Sequence, residues 1–446
     1  MLKSIKIFRS MQNRTLIAEL KTGVGKETIL AGWVAVRRDH GKLVFLDIRD
    51  RSGRVQCVVT PQTAEAHKAA SEVRPEWVVS VTGLVKARPE KLVNKNEPQG
   101  ALEVEVKDIS ILSRAQELPF ELGTDIHIDT HLDYLPLTLR NEKHRAIFSV
   151  QAHITRAFRD FFANEGFTEI QAPKLIGDDA EGGANSFSIP YFGHTAHLAQ
   201  SPQLYKQIMV GVFERVFAVG NVYRAEKHAT TRHLNEYTSL DIEMGFIIDH
   251  TAVMKIETRF LAFLEKELRA KCIREFALLG AEIPKVPKDI PALSLREAQR
   301  TLGAPPEPDL EPEQERALCE WSKREHGSDF IFVTHFPTAK RPFYTYRDES
   351  DPTYTKGFDL LFRGVEITTG AQRIHDYNTL VASLRDKGLD PDKFSFYLQA
   401  FKYGLPPHGG FGMGLERLTA KLLGLGNVKE ATLFPRDLNR IDNRLA

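Results

Sequence analysis

Hydrophobic and polar positions alternate differently in the two parts of the chain. From Thr28 to Leu112 the pattern is short β-rich runs: TILAGWVAVRR, LVFLDIRD, RVQCVV, WVVSVTGLVKARP and ALEVEVKDISIL. Turn signals separate them at Asp39–Gly41, Arg51–Gly53 and Asn94–Gly100. Five strands in about 90 residues, with an apolar helical stretch near Ala64–Val73, predict a small closed barrel of the OB type. Gln116–Arg140 has prolines, mixed charge and no sustained period, and is expected to be a linker or hinge. Beyond it Ile147, Val150, Ile154, Phe158 and Phe161 recur at helical spacing, and Gly166 ends that helix. FTEIQAPKL reads as a strand broken at Pro173, tolerable only at an edge or boundary and suited to a subunit interface. Ile176–Gly193 is rich in Gly and Asp around Glu181 and is expected to be a mobile lid. Thr251–Leu268 reads as an amphipathic helix, Lys285–Arg324 as an inserted helical lobe, and DFIFVTHFP and PFYTYRD as strands.

The stretch Gln200–Gly245 reads as a helix, a strand, a charged loop and a second strand. Strict alternation puts Val216, Ala218, Gly220, Val222, Arg224 and Glu226 on one face of the first strand. Ser239, Asp241 and Glu243 share a face of the second. If the strands pair around Lys227–Glu236, Arg224, Glu226, Asp241 and Glu243 meet on one floor, with His228, Arg232 and His233 in the loop and Gln203 and Lys206 ahead of it. Taken singly, these residues are cross-strand ion pairs on a solvated face. Taken together, the two charge signs suit a ligand that is both anionic and cationic, such as a nucleotide plus an amino acid.

In FDLLFRGVEITTGAQR, Arg363-Gly364 fits a two-residue hairpin turn that pairs Leu361 with Glu366. Asp359 and Glu366 then share a face, either as solvated acids or as ligands for Mg²⁺ with phosphate oxygens completing the shell. Strict alternation aims Thr368, rather than Thr369, at that face. In PPHGGFGMGLERLTAKLLGL, glycines lead into a helix with Arg417 in its first turn. A cation there opposes the helix dipole unless an anion is nearby, which points to a nucleotide phosphate. There is no GxxxxGK[ST], and GxGxxG spacing breaks at Leu415.

At 446 residues, with 42% hydrophobic and 27% charged, the chain has room for two domains of ordinary globular composition. No apolar run is long enough to span a bilayer. MLKSIKIFRSMQNR lacks a secretory h-region and cleavage site; a transit-peptide stub, or an upstream start with Met11 as the true one, both remain open. Cys57, Cys272 and Cys319 form no CxxC pair, which excludes a zinc ribbon or disulfide framework and fits a reducing cytoplasm. Net charge is +1, but residues 1–114 hold 20 Lys+Arg against 13 Asp+Glu, leaving −6 for the remainder. A polyanion is expected to meet the first part.

With these segments in order, the sequence resembles the class II aminoacyl-tRNA synthetases, in their aspartyl branch of archaeal/eukaryotic type, over nearly its whole length. FTEIQAPKL, YRAEKHATTRHLNEYTSLDIEMGF and GGFGMGLERL look like the family's three motifs, QSPQLYKQ like its aspartate-binding signature and FPRDLNR like its C-terminal segment. The resemblance implies an α+β chain: an OB-fold anticodon-binding domain over 1–114, a hinge over 115–140, and a catalytic domain over 141–446. The last would be an antiparallel sheet flanked by helices, with a small helical insertion around 285–325. It also implies a cytoplasmic homodimer with no membrane partner. The enzyme would form aspartyl-adenylate from ATP and L-aspartate, then charge tRNA(Asp), with tRNA(Asn) a further candidate. In the first step the substrate carboxylate is already a nucleophile, so catalysis is positioning and charge neutralisation.

By the same resemblance Arg224 bridges the α-phosphate and the amino-acid carboxylate, and Arg232 and Arg417 hold the γ-phosphate end, with His233 near the phosphates. Glu226 contacts adenine; Leu234, Gly414, Leu415 and Glu416 complete the ATP site. Lys206 and Arg373 grip the aspartate side chain. Glu181 and Gln203 hold its α-ammonium near Asp241. Asp359, Glu366 and Thr369 carry Mg²⁺, and Thr369 needs a bulge to face the site. Phe45 stacks on the middle anticodon base, Gln56 bonds it, and Glu103 serves a flanking base.

Two departures bear on tRNA choice. The catalytic half lacks the large extra domain of bacterial members, yet VNKNEPQGALEVEV resembles their barrel, and Ala35 stands where archaeal-like members often have Trp or His. The rival readings are an asparaginyl-tRNA synthetase, a synthetase-derived protein that binds nucleic acid without aminoacylating, and an asparagine synthetase on the same core.

Overall fold

The computed structural model describes residues 13–95, 97–177, 186–227 and 230–445. They form two units, Met1–Glu121 and Leu122–Ala446. In the first, β1 (Glu27–Asp39), β2 (Val44–Arg49), β3 (Arg54–Val59), β4 (Val78–Ala87) and β5 (Leu102–Ser113) close into a barrel in the order β1-β2-β3-β5-β4. Alternation decides what is inside. Val44, Leu46 and Ile48 of β2 and Val55, Cys57 and Val59 of β3 are buried, so Phe45, Asp47 and Gln56 point outward. The helix Ala64–Glu72 joins β3 to β4 and contributes Ala66 and Ala70 to the core.

The second unit is built on an eight-stranded sheet in the order β12-β13-β14-β15-β16-β11-β10-β6. Its strands are β6 (Thr168–Glu169), β10 (Arg215–Tyr223), β11 (Glu236–Gly245), β12 (Ala292–Ser294), β13 (Phe330–Thr334), β14 (Gly357–Phe362), β15 (Val365–Arg373) and β16 (His408–Gly414). The expected antiparallel pairing holds through the middle, while β6 with β10 and β12 with β13 are parallel at the edges. One face is sealed by the helices Glu142–Asn164 and His250–Lys271, where Phe158, Phe162 and Phe260 meet Phe217 and Phe411. The other face is flanked by Gln203–Phe213 on one side and by Leu295–Thr301 and Pro312–His326 on the other. Its centre carries the site.

The structure adds detail to three segments read from the sequence and corrects a fourth. Part of the supposed linker folds as helices Ile128–Asp133 and Leu135–Thr138, with Leu132 and Leu135 buried; elements this short show no period. Part of the supposed lid is a hairpin of β8 (Ser188–Tyr191) and β9 (His194–Leu198), joined by β7 (Leu175–Ile176) into a three-stranded sheet. Glu181 and His228 lie outside the described residues. The inserted lobe also supplies β12 to the main sheet. PFYTYRD makes only isolated bridges, Thr345 with Arg373 and Arg347 with Thr355.

Candidate active site

The floor of the site follows from the pairing of β10 with β11. The register sets Ala218 opposite Asp241, Val216 opposite Glu243 and Gly220 opposite Ser239, all on one face. Arg224 and Glu226 follow the end of β10 and line the same cleft as Asp241. Glu243 lies at its closed end, fully buried. On the far side of β11 runs β16, whose glycines the sequence placed ahead of a helix but which pair as a central strand. A Cβ on Gly410 would sit 2.1 Å from the Ile242 carbonyl oxygen and 2.3 Å from Glu243 Oε2, so the strand approaches its neighbour too closely for a side chain.

Two cations occupy the closed end. Lys206, 1% exposed, comes from the helix Gln203–Phe213 and donates from Nζ to Asp241 Oδ1 and to the Phe411 carbonyl, both at 3.0 Å. Its ammonium is also 3.4 Å from Glu243 Oε2. Arg373 at the end of β15 donates to Glu243 Oε1 (3.0 Å), Gln203 Oε1 (3.3 Å) and the Gly410 carbonyl (2.9 Å). Burial alone would raise the Glu243 carboxyl, but Arg373 and Lys206 outweigh it and hold it below the usual range. Polar contacts continue inward: Gln203 Nε2 donates to Gln207 Oε1 (3.0 Å), Gln207 Nε2 meets His408 Nε2 (2.9 Å), and His408 Nδ1 meets the Pro406 carbonyl (2.9 Å). Burial lowers His408 to about 4, so its ring is neutral.

The open end is rich in arginine. Arg224 lies over the Tyr237 ring, 5.6 Å from its centroid. Arg232 reaches from the loop to Glu315 (2.9 Å) and the Gly364 carbonyl (3.1 Å), and Arg417 donates to the Glu366 carbonyl (3.2 Å). His233 and Leu234 line this end with Gly414 and Glu416. Glu416 accepts from the Thr238 backbone N–H at 3.0 Å, and burial pushes it up to about 7. Leu415 does not line the cleft; it is buried in the core behind it. Two lining or supporting residues escaped the sequence reading. Arg341 faces the cleft from the segment after β13, and Glu315 partners Arg232 from the helix Pro312–His326. Both are charged residues outside any motif spacing, so only the closed sheet reveals them.

The β14–β15 hairpin turns at Arg363-Gly364, both with positive φ (46° and 80°), and pairs Leu361 with Glu366 as its sequence implies. Leu360 then pairs with Thr368, so Ile367 is an extra residue, a β-bulge. The bulge turns Thr369 toward the cleft and Thr368 into the core, and Thr369 Oγ1 donates to Glu366 Oε1 at 2.7 Å. Asp359 sits opposite Thr369; its Oδ2 accepts from Arg341 at 2.7 Å, while the buried Oδ1 has no hydrogen-bond partner. Burial and the charge of Glu366 push Asp359 up despite Arg341. An orphaned carboxylate oxygen beside a second carboxylate and a hydroxyl is a donor set that fits a hard divalent cation. Among the described residues no cluster of three or more His, Cys, Asp or Glu could hold a metal ion. Ligand oxygens would therefore have to complete any shell here.

In the barrel, Gln56 lies opposite Glu103 and donates to its Oε2 at 3.3 Å; Arg38 and Arg88 both donate to Gln56 Oε1. Phe45 is half-buried on the outer face of β2 rather than in the core, edge-on to His40 at 5.6 Å between ring centroids. Phe45, Gln56 and Glu103 thus line one groove with three arginines, Arg38, Arg54 and Arg88.

Residues 127–438 match the family model for class II tRNA synthetases (D, K and N), and residues 28–112 match that for the OB-fold nucleic acid binding domain. An aspartate–tRNA(Asp/Asn) ligase of Deinococcus radiodurans is 49% identical over 96% of this chain and 98% of its own length. An aspartate–tRNA(Asp) ligase of Pyrococcus abyssi is 38% identical over 94% of this chain and 96% of its own. Among solved structures, asparaginyl-tRNA synthetase of Pyrococcus horikoshii complexed with asparaginyl-adenylate superimposes with a TM-score of 0.88 at 31% identity, covering 96% of this chain and 99% of that one.

Proposed function

The chain belongs to the class II tRNA synthetases of the D, K and N group, and from that premise we propose that it is an aspartate–tRNA ligase. The observation that carries the choice of amino acid is the pair of buried cations at the closed end, Lys206 and Arg373. A carboxylate side chain entering there meets one point charge and one planar fork in charge-assisted hydrogen bonds, where an amide would offer only a neutral oxygen. Gln203 Oε1 and Asp241 receive the substrate α-ammonium, a role the family resemblance also gives to Glu181. Arg224 then holds the main-chain carboxylate against the α-phosphate. That carboxylate attacks phosphorus, the bond to the bridging oxygen breaks, and pyrophosphate leaves toward Arg232, His233 and Arg417. No base is required, because the nucleophile is already an anion. In the second step a ribose hydroxyl of the terminal tRNA adenosine attacks the acyl carbon, and AMP leaves.

Mg²⁺, when bound by Asp359, Glu366 and Thr369, supplies charge neutralisation on the leaving phosphates. Glu226 and the backbone around Leu234, Gly414 and Glu416 frame the adenine end; Leu415 supports them from behind. Phe45, Gln56 and Glu103 read the anticodon of tRNA(Asp), Phe45 by stacking. The name of the Deinococcus relative favours tRNA(Asn) as a second acceptor. We further infer a homodimer that works in the cytoplasm. Three buried free cysteines support that compartment, and no described helix is long and apolar enough to cross a membrane.

The test is pyrophosphate exchange with aspartate and with asparagine, in the native chain and in Lys206→Ala, followed by charging of tRNA(Asp) and tRNA(Asn) transcripts. Exchange should favour aspartate. Lys206→Ala should lower kcat/KM for aspartate by about 100-fold, the loss of roughly 3 kcal/mol of charge-assisted contact, with far less change for ATP. Faster exchange with asparagine would make the protein an asparaginyl enzyme, the activity named for its structural neighbour.

A further inference from the structure

Lys174 lies just before β7, and its backbone is fixed where its carbonyl accepts the Ala199 N–H at 2.9 Å. Its side chain crosses the cleft face of β10 above Gly220, where an added Cβ would come within 3.2 Å of Nζ and 3.5 Å of Cε. Gly220 has ordinary strand geometry, so the glycine is there for space rather than for backbone freedom. Gly220 pairs with Ser239 across the β10–β11 ladder. The Lys174 ammonium makes no ion pair or hydrogen bond among the described residues, and burial lowers it, with Asp241 opposing. A half-buried ammonium with no direct ion pair or hydrogen bond among the described residues, in a channel a side chain would fill, is a cation held for a ligand.

The position excludes the first-step anions. Lys206, Arg224 and Arg373 line the cleft, and Lys174 does not. Arg224 lies four residues beyond Gly220 along the β10 direction, roughly 13 Å between their Cα atoms. The aspartate side chain and the α-phosphate are thus met elsewhere. Lys174 stands instead over β10, with only the two-residue β6 outside it at the sheet edge. The anion that the reaction still has to bring is the phosphodiester of the tRNA acceptor end. We propose that Lys174, seated over Gly220, binds a backbone phosphate of the 3′-terminal nucleotides of tRNA and so guides the acceptor hydroxyl to the acyl carbon. This rests on the tRNA ligase reading.

The test compares the native chain with Lys174→Ala, Lys174→Gln and Lys174→Arg in aspartate-dependent pyrophosphate exchange and in tRNA charging across a salt series. The proposal expects kcat/KM for tRNA to fall about ten-fold in the alanine and glutamine variants, with exchange altered less than about two-fold. It also expects the slope of log kcat/KM against log salt to become shallower by about 0.7, one single-strand phosphate contact, and arginine to restore most of both. If both variants lose exchange as much as charging, Lys174 serves adenylation or folding and the proposal fails. Unchanged charging and salt slope overturn it too. If the native chain itself neither exchanges nor charges, the ligase reading falls, and that outcome is separate from any difference among the variants.

Discussion

Glu257 shows how far a single buried group can be from its behaviour in water. It faces the sheet from the helix His250–Lys271, is fully buried, and neither carboxylate oxygen has a hydrogen-bond partner. Burial pushes it up to about 8, only partly opposed by Thr368. The folded carboxyl stays protonated where the unfolded one has ionised, so its contribution is full below pH 4.5 and is lost as pH rises toward about 8. Glu257→Gln keeps the shape and removes the titration. It should gain on the native chain by about 1.4 kcal/mol per pH unit between those limits, measured as urea-unfolding free energy against pH. An identical pH dependence in both proteins would show that Glu257 ionises freely. Nothing in the sequence marks this residue: a glutamate on an amphipathic helix reads as solvated. Lys206 was legible for the opposite reason, since the segment QSPQLYKQ carries it ahead of an equally distinctive strand pair.

At the scale of elements, strict alternation was enough to place Asp241 and Glu243 on the cleft floor and to set the hairpin at Arg363-Gly364. It failed where the backbone departs from a two-residue period. Ile367 breaks the count within β15, so Thr369 faces the cleft only through a bulge that alternation cannot supply. In β16 the glycines hid a central strand, because glycine weakens strand patterns unless a close approach demands it. That demand makes a prediction. In Gly410→Ala the new methyl group meets a carbonyl oxygen in the middle of the sheet as well as the Glu243 side chain. The variant should lose about 2–3 kcal/mol, seen as a lowered Tm, and aspartate-dependent exchange should weaken as Glu243 is pushed off Arg373. A melting point equal to the native one would mean that β11 and β16 can separate at no cost.

The whole molecule divides its work along the charge asymmetry that the sequence already carried, a basic first part and an acidic remainder. Each unit has its own apolar core, and the barrel groove with Phe45 and the cleft with Lys206 have no lining residue in common. Phe45→Ala should accordingly raise KM for tRNA about ten-fold, a stacking loss of roughly 1–3 kcal/mol, with little change in KM for aspartate in exchange. A comparable rise in both would show that the groove is not where the anticodon stacks. Within the catalytic unit the line of contacts from Arg373 to Pro406 has a direction. A carbonyl oxygen only accepts, so Pro406 forces the His408 proton onto Nδ1 and leaves Nε2 with a lone pair. That lone pair fixes which end of the Gln207 amide points at it, and Gln207 in turn fixes Gln203. The oxygen that Gln203 turns toward Arg373 is therefore dictated by one backbone carbonyl three side chains away, so the pocket's polarity is inherited from the main chain.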